Sequence, residues 1–290
     1  MTDIELVLDA RANCGEGPLW DNRSGVLVWI DIMPGEVHRF DPETGTDSVT
    51  EVGQPVGAIA LRAAGGYALA LRDGIAAMDG DGQLKVISDV EKDVPTNRFN
   101  DAKCDSAGRF WAGTMAFDLT PGAATLYRID HDGSATAAVP GMTLSNGLGW
   151  SPDDTTMYLV DSLEYGLDAF DFDAASGSLS NRRRLITCDA EADGIPDGMA
   201  VDAEGYLWVA YYAGGAVRRY SPDGTLDHVL EMPVSQPTCV AFGGDDLGDL
   251  YITTANQQKS PEDLAKEPTL GGLFRTRPGV TGLPTNAFAG

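Results

Sequence analysis

Apolar and polar positions alternate along the chain in short runs, and the runs repeat. Six strand-like segments centred on an aromatic residue recur: VLVWIDI around Trp29, GYALAL around Tyr67, RFWAGTM around Trp111, TMYLVDS around Tyr158, YLWVAYY around Trp208 and DLYITTA around Tyr251. Successive aromatics lie 38, 44, 47, 50 and 43 residues apart, the spacing of a four-stranded repeat of about 40–50 residues. The 3.6-residue apolar period that stacked helices need is missing. A third run follows each aromatic segment: VHRF at 37–40, GIAAM at 74–78, TLYRI at 125–129, LDAFDF at 167–172, AVRRY at 216–220 and GLFRT at 272–276. Most of these lead into DPETG, DGDG, DHDG, DAASG or SPDG, where Asp and Gly adopt the backbone conformations that tight hairpins require. A fourth strand follows each such turn.

The sixth repeat lacks room for its fourth strand, because the chain ends at Gly290 soon after GLFRTRPGVTG. The spare N-terminal segment Ile4-Glu5-Leu6-Val7-Leu8 completes it. The pattern therefore predicts an all-β fold: a six-bladed β-propeller with four antiparallel strands per blade, closed by the N-terminal strand and filling residues 1–290 as one domain. One short helix is expected within 253–268, where Ser260-Pro261-Glu262-Asp263 resembles a capped helix start.

Charge narrows the partners. Lys and Arg number 20 against 44 Asp and Glu, a formal net charge of −24, so a nucleic-acid partner is excluded by phosphate repulsion. The only basic run, Arg182-Arg183-Arg184, reads as a solvated strand end. No segment approaches the roughly 18 consecutive apolar residues of a membrane span, and MTDIELVLDARAN carries no basic region followed by an apolar stretch. A soluble, cytoplasmic protein without a membrane partner is expected. Cys14, Cys104, Cys188 and Cys239 are far apart and form no CxxC pair, which points to small buried side chains rather than a disulfide framework or a thiolate zinc site.

In a propeller the first strand of each blade lines the central channel, so the residues entering these strands converge on one mouth. Here they are Glu16 in GEGPLW, Val56 in QPVGAIA, Asn100-Asp101 in NRFNDAKC, Asn146 in LSNGLGW, Asp197 in IPDGMAV and Thr238 in QPTCVAF. Four blades thus direct carboxylate or amide oxygens at a common axis. Such oxygens suit hard cations such as calcium, magnesium or manganese, and three protein ligands leave positions for water or substrate. The plainer reading is that Asp and Asn cap turns; equivalent placement of Glu16, Asn146 and Asp197 in different repeats favours the metal. His38, His131 and His228 fall in or beside outer hairpins and read as surface residues. A Ser-His-Asp triad is disfavoured, since no serine stands in a GxSxG context, and DGDG at 79–82 is too short for an EF-hand.

GEGPLW at 15–20, NRFNDAKCDSAGRFWAGTM at 97–115, SNGLGWSPDDTTMYLVDS at 145–162, AFDFDAASGSLSNRR at 169–183, PDGMAVDAEGYLWVAYYAGG at 196–215 and GGLF at 271–274 closely resemble the regucalcin (senescence marker protein) and gluconolactonase family over nearly the whole chain. The resemblance implies a six-bladed propeller that hydrolyses sugar lactones with one divalent ion, calcium or zinc in the first place and manganese, magnesium or iron as further options. It carries the metal-ligand role onto Glu16, Asn146 and Asp197, and substrate contact onto Arg98 and Asn100. Asp101 follows as an accessory group and Asp197 doubles as general base. A salt bridge to Asp101 or another acid is the alternative use of Arg98. Where close animal relatives have a longer segment bearing a sugar-binding glutamate, this chain reads AFDLTPGAATLY, with Asp118 as its one acid. The expected activity is opening of a small sugar lactone. Hydrolysis of phosphotriesters or other esters, and calcium binding without catalysis, are the alternatives.

Overall fold

The computed structural model describes residues 3–290. Strand β1 (Glu5–Leu8) precedes blade one, made of β2 (Gly15–Asp21), β3 (Val26–Asp31), β4 (Glu36–Asp41) and β5 (Thr46–Glu51). Blade two holds β6 (Val56–Arg62), β7 (Tyr67–Leu71), β8 (Gly74–Met78) and β9 (Leu84–Ser88). Blade three holds β10 (Asn97–Cys104), β11 (Phe110–Ala116), β12 (Ala124–Ile129) and β13 (Ala135–Met142). Blade four is β14 (Ser145–Trp150), β15 (Thr156–Asp161), β16 (Gly166–Asp173) and β17 (Ser178–Thr187). Blade five is β18 (Ile195–Val201), β19 (Leu207–Tyr212), β20 (Ala216–Tyr220) and β21 (Leu226–Glu231). Blade six combines β22 (Pro237–Gly243), β23 (Asp249–Thr254) and β24 (Leu273–Thr276) with β1, in the order β1-β24-β23-β22.

Ring closure thus follows the sequence pattern: Glu5 lies opposite Arg275 and Leu6 opposite Phe274 in an antiparallel pair. Closure leaves no open edge between the first and last repeats. The short helix also falls where expected, at Pro261–Lys266, with the Ser260 hydroxyl accepting the Asp263 N–H at 3.2 Å. Among the described residues no helix is long and apolar enough to cross a membrane.

Apolar side chains are buried between neighbouring blades. Trp111, Trp150 and Phe172, for example, meet with ring centroids 5.9–6.1 Å apart across the joint of blades three and four. The inner strand β14 is buried along its whole length. All four cysteines are buried and unpaired, as their isolation in the sequence suggested.

Three features go beyond the sequence reading or correct it. First, the C-terminal segment, to which the sequence reading assigns no element, is tied to the ring. It passes under the ring, where Gly282 pairs with Asp202 and the Ala289 N–H reaches the Gly108 carbonyl at 2.9 Å. It ends in a two-residue strand β25 (Ala287–Phe288) laid parallel to β6. Second, His38 is buried, not a surface residue: its ring stacks on Trp29 at 3.8 Å and its Nδ1 lies 2.7 Å from Asp47 Oδ2. The cross-strand register, Trp29 opposite His38, creates that stack. Third, Arg182–Arg184 sit within β17 instead of at its end. Arg182 and Arg184 pair with Asp168 and Arg183 with Asp171, at 2.6–2.8 Å.

Candidate functional site

The six entry positions share a local backbone device. The ladder between first and second strands slips at the same place in every blade: between Glu16 and Leu19, Val56 and Ala58, Phe99 and Asp101, Ser145 and Leu148, Pro196 and Met199, and Pro237 and Cys239. Such a bulge bends a strand and re-aims its side chains. Four of the six entry positions are followed by glycine, and Gly147 shows why: a Cβ there would lie 2.5 Å from the Asp197 carbonyl oxygen. Omitting the side chain lets adjacent inner strands close up around the axis.

Glu16, Asn100, Asp101, Asn146 and Asp197 are all buried at these positions. Glu16 Oε2 accepts the Gly17 N–H at 2.8 Å and Asp101 Oδ1 the Ala102 N–H at 2.7 Å. Asn146 Nδ2 donates to Ser162 Oγ at 3.0 Å, and that hydroxyl donates to the Pro196 carbonyl at 2.7 Å. Because the serine proton is committed to Pro196, Ser162 must accept from the amide, which fixes the Asn146 orientation. Its Oδ1 is left buried without a partner. A buried carbonyl oxygen with no donor is costly, and a cation removes that cost.

Charge balance points the same way. Burial pushes the Glu16 carboxyl well above the usual range, and Asp197 and Asp101 push it further against the pull of Gly17 and Arg98. Burial and Asp101 likewise raise Asp197, opposed by the Asn146 amide, the Gly198 N–H and Arg98. Burial raises Asp101, with Lys103 opposing. Three crowded carboxyls are the donor chemistry of a hard divalent ion. Among the described residues no group of three His, Cys, Asp or Glu could hold a metal ion; an oxygen site here would have to combine Glu16 and Asp197 with the Asn146 carbonyl.

Arg98 donates from Nη1 to the Phe99 carbonyl and to Asn100 Oδ1, both at 2.8 Å, while Asn100 Nδ2 donates to the Ser145 carbonyl at 3.0 Å. Asn100 therefore braces the guanidinium and joins blades three and four. Burial depresses the Arg98 pKa, opposed by Cys14, Glu16 and Asp197. The alternative salt bridge is not formed: among the described residues the ion pairs within 4.0 Å do not include Arg98. Its other N–H groups face no acid at that distance.

The remaining entry positions are structural. Val56 is apolar, and Thr238 Oγ1 is 2.5 Å from the Gly15 carbonyl, tying blade six to blade one. Asp118 is exposed and turned into its own loop, accepting the Thr120 N–H at 3.0 Å and the Thr120 hydroxyl at 2.7 Å. Two contributors escaped sequence reasoning. Ser162 acts on Asn146 from a 3-10 turn (Ser162–Glu164) that no motif marks. Lys103, two residues beyond Asp101, spans from blade three to blade five, its Nζ 2.7 Å from the Met199 carbonyl. Beneath these groups lies a cavity of about 290 Å³, bounded by inner-strand residues such as Leu19, Lys103, Trp150 and Val201 and by residues 283–286 of the C-terminal segment.

The SMP-30/Gluconolactonase/LRE-like region model matches residues 14–256. A regucalcin of Oryctolagus cuniculus is 40% identical, covering 99% of this chain and 98% of its own. Among solved structures, a luciferin-regenerating enzyme superposes with a TM-score of 0.94 at 31% identity, with 100% of both chains covered. A calcium-binding protein, regucalcin, from Agrobacterium tumefaciens gives 0.94 at 30% identity, over 99% of this chain and 97% of that one.

Proposed function

Since the chain belongs to the SMP-30/gluconolactonase/LRE-like family, we propose that it is a divalent-metal-dependent hydrolase that opens a hexono- or pentonolactone to the aldonic acid. The observation that carries this reading is the unpartnered Asn146 Oδ1 held beside Glu16 and Asp197, at a mouth that also carries Arg98. Glu16, Asn146 and Asp197 would hold the ion, calcium or zinc in the first place. When bound, such an ion supplies Lewis acidity toward a carbonyl group.

The chain's own residues do the rest. Asp197 takes the proton of the attacking water and returns it to the ring oxygen as the C–O bond breaks. Arg98 offers its free N–H groups to the sugar hydroxyls and to negative charge developing on the substrate. Asn100 keeps that guanidinium in place, and Asp101 adds negative charge at the floor of the site. Four unpaired cysteines suit a reducing, cytoplasmic compartment.

The all-oxygen donor set favours one second reading, calcium binding without turnover. A pH-indicator assay separates the two. Chelator-stripped protein receives each divalent ion in turn and is offered a panel of aldonolactones with one phosphotriester. Rapid hydrolysis of a sugar lactone restored by one ion supports the enzyme. Silence on every lactone, in protein that binds metal, overturns it.

A further inference from the structure

A carboxylate outside the candidate site joins three segments of its rim. Glu91 lies in the connection between β9 and β10, with a left-handed backbone (φ 62°) that is uncommon for a side chain of its kind. Its Oε2 accepts Asn97 Nδ2 at 3.0 Å, and its Oε1 accepts the Tyr127 hydroxyl at 2.9 Å and the Thr114 hydroxyl at 3.4 Å. The same Asn97 amide donates to the Ala123 carbonyl at 3.0 Å. The Phe117 N–H in turn reaches the Thr96 carbonyl at 2.9 Å. Glu91 and Asn97 therefore clasp the 89–96 connection, the start of β10 and the 117–123 lip into one unit.

That unit carries Arg98. It follows Asn97 directly, and its guanidinium is placed by the backbone at Phe99 and by Asn100, within the same strand start. The lip is also the stretch in which Asp118 is spent on its own turn. Blade three's wall thus takes its shape from the clasp, whose donors are one carboxamide and two hydroxyls. A backbone held in a sparsely populated conformation by such contacts is a feature associated with functional sites.

We propose that Glu91 is a positioning residue for substrate binding: by anchoring Asn97, Tyr127 and Thr114 it sets the place of Arg98 and of the lip relative to the metal ligands. This rests on the lactonase reading for its substrate, though its structural half can be tested separately. Glu91→Gln retains an acceptor oxygen and the side-chain length, whereas Glu91→Ala removes the clasp. With the metal-loaded protein and its best lactone, Glu91→Ala should raise KM about tenfold with kcat within about threefold, and Glu91→Gln should recover most of the loss. Metal affinity, measured by calorimetry, should stay at the wild-type value in both. Amide hydrogen exchange in the Ala variant should accelerate at 97–100 and 117–123 while remaining unchanged at 145–147 and 195–198.

Unchanged exchange at 97–100 and 117–123 overturns the clasp, whatever the protein hydrolyses. Faster exchange with an unchanged KM overturns the positioning role. So does a lower melting temperature as the sole effect. Failure of the wild-type protein to open any lactone, with exchange altered as expected, leaves the clasp standing and removes the lactonase reading.

Discussion

On the proposed metal reading, the orientation of one carboxamide decides whether the Asn146 oxygen is available to a cation. Ser162 fixes it, accepting from Asn146 because its own proton goes to Pro196. Ser162→Ala frees that amide without removing a ligand oxygen, so affinity for the divalent ion should fall about tenfold, the lower end for groups that orient ligands, as measured by calorimetric titration. Protonation gives a second handle. Burial and nearby carboxylates, Asp197 and Asp101 for Glu16 and Asp101 for Asp197, raise the Glu16 and Asp197 carboxyls above their ordinary values, so at these two groups the metal-free native state binds more protons than the unfolded chain. Stability then falls as pH rises through the interval between the unfolded and folded pKa values, from about 4 upward. Chelated protein should accordingly melt at a progressively lower temperature as the pH is raised from about 4, to the extent set by these two groups. Restoring the ion should flatten that slope; calorimetric melting across the pH series, with and without ion, measures both effects.

At the level of strands, two blades contain the same tie between a turn and a buried tryptophan. In blade three Asp105 accepts the Trp111 indole N–H at 2.8 Å and Arg109 Nε at 2.6 Å; in blade five Asp202 accepts Trp208 at 3.0 Å and Arg219 at 2.7–2.9 Å. Both aspartates have no exposed surface. Removing one partner of such a cluster strands the others, so Asp202→Ala should cost about 3 kcal/mol in urea unfolding while Asp202→Asn costs less. The tie is written in the sequence as Asp-x-x-Gly-x-x-Trp, as the repeat itself is written in its aromatics. Channel-facing residues were legible for the same reason: each stands at an equivalent point of a repeat, before glycine in four cases. What was not legible depends on contacts between distant segments. The burial of His38 comes from the strand register, the commitment of Asp118 from its own loop, and β25 from a two-residue pairing too short for any periodicity.

Taken whole, the molecule is a strongly acidic ring. A net charge of −24 spread over one compact body repels itself, and salt screens that repulsion. Raising ionic strength from about 0.01 M to about 0.15 M shortens the screening length from about 30 Å to about 8 Å. The melting temperature should rise over that range in sodium chloride, and a fall would show that ion pairs such as Arg219 with Asp202 dominate instead. The closure of blade six bears on the order in which the ring assembles. Strand β1 belongs beside β24, about 270 residues away, so it waits for a partner synthesised long after it. Until then the nascent chain holds five blades' worth of sequence and two unmatched edges. Translation must pass β24 before the seam can be sewn, and a circular permutant with its new termini between two intact blades would bring β24 and β1 into one continuous stretch.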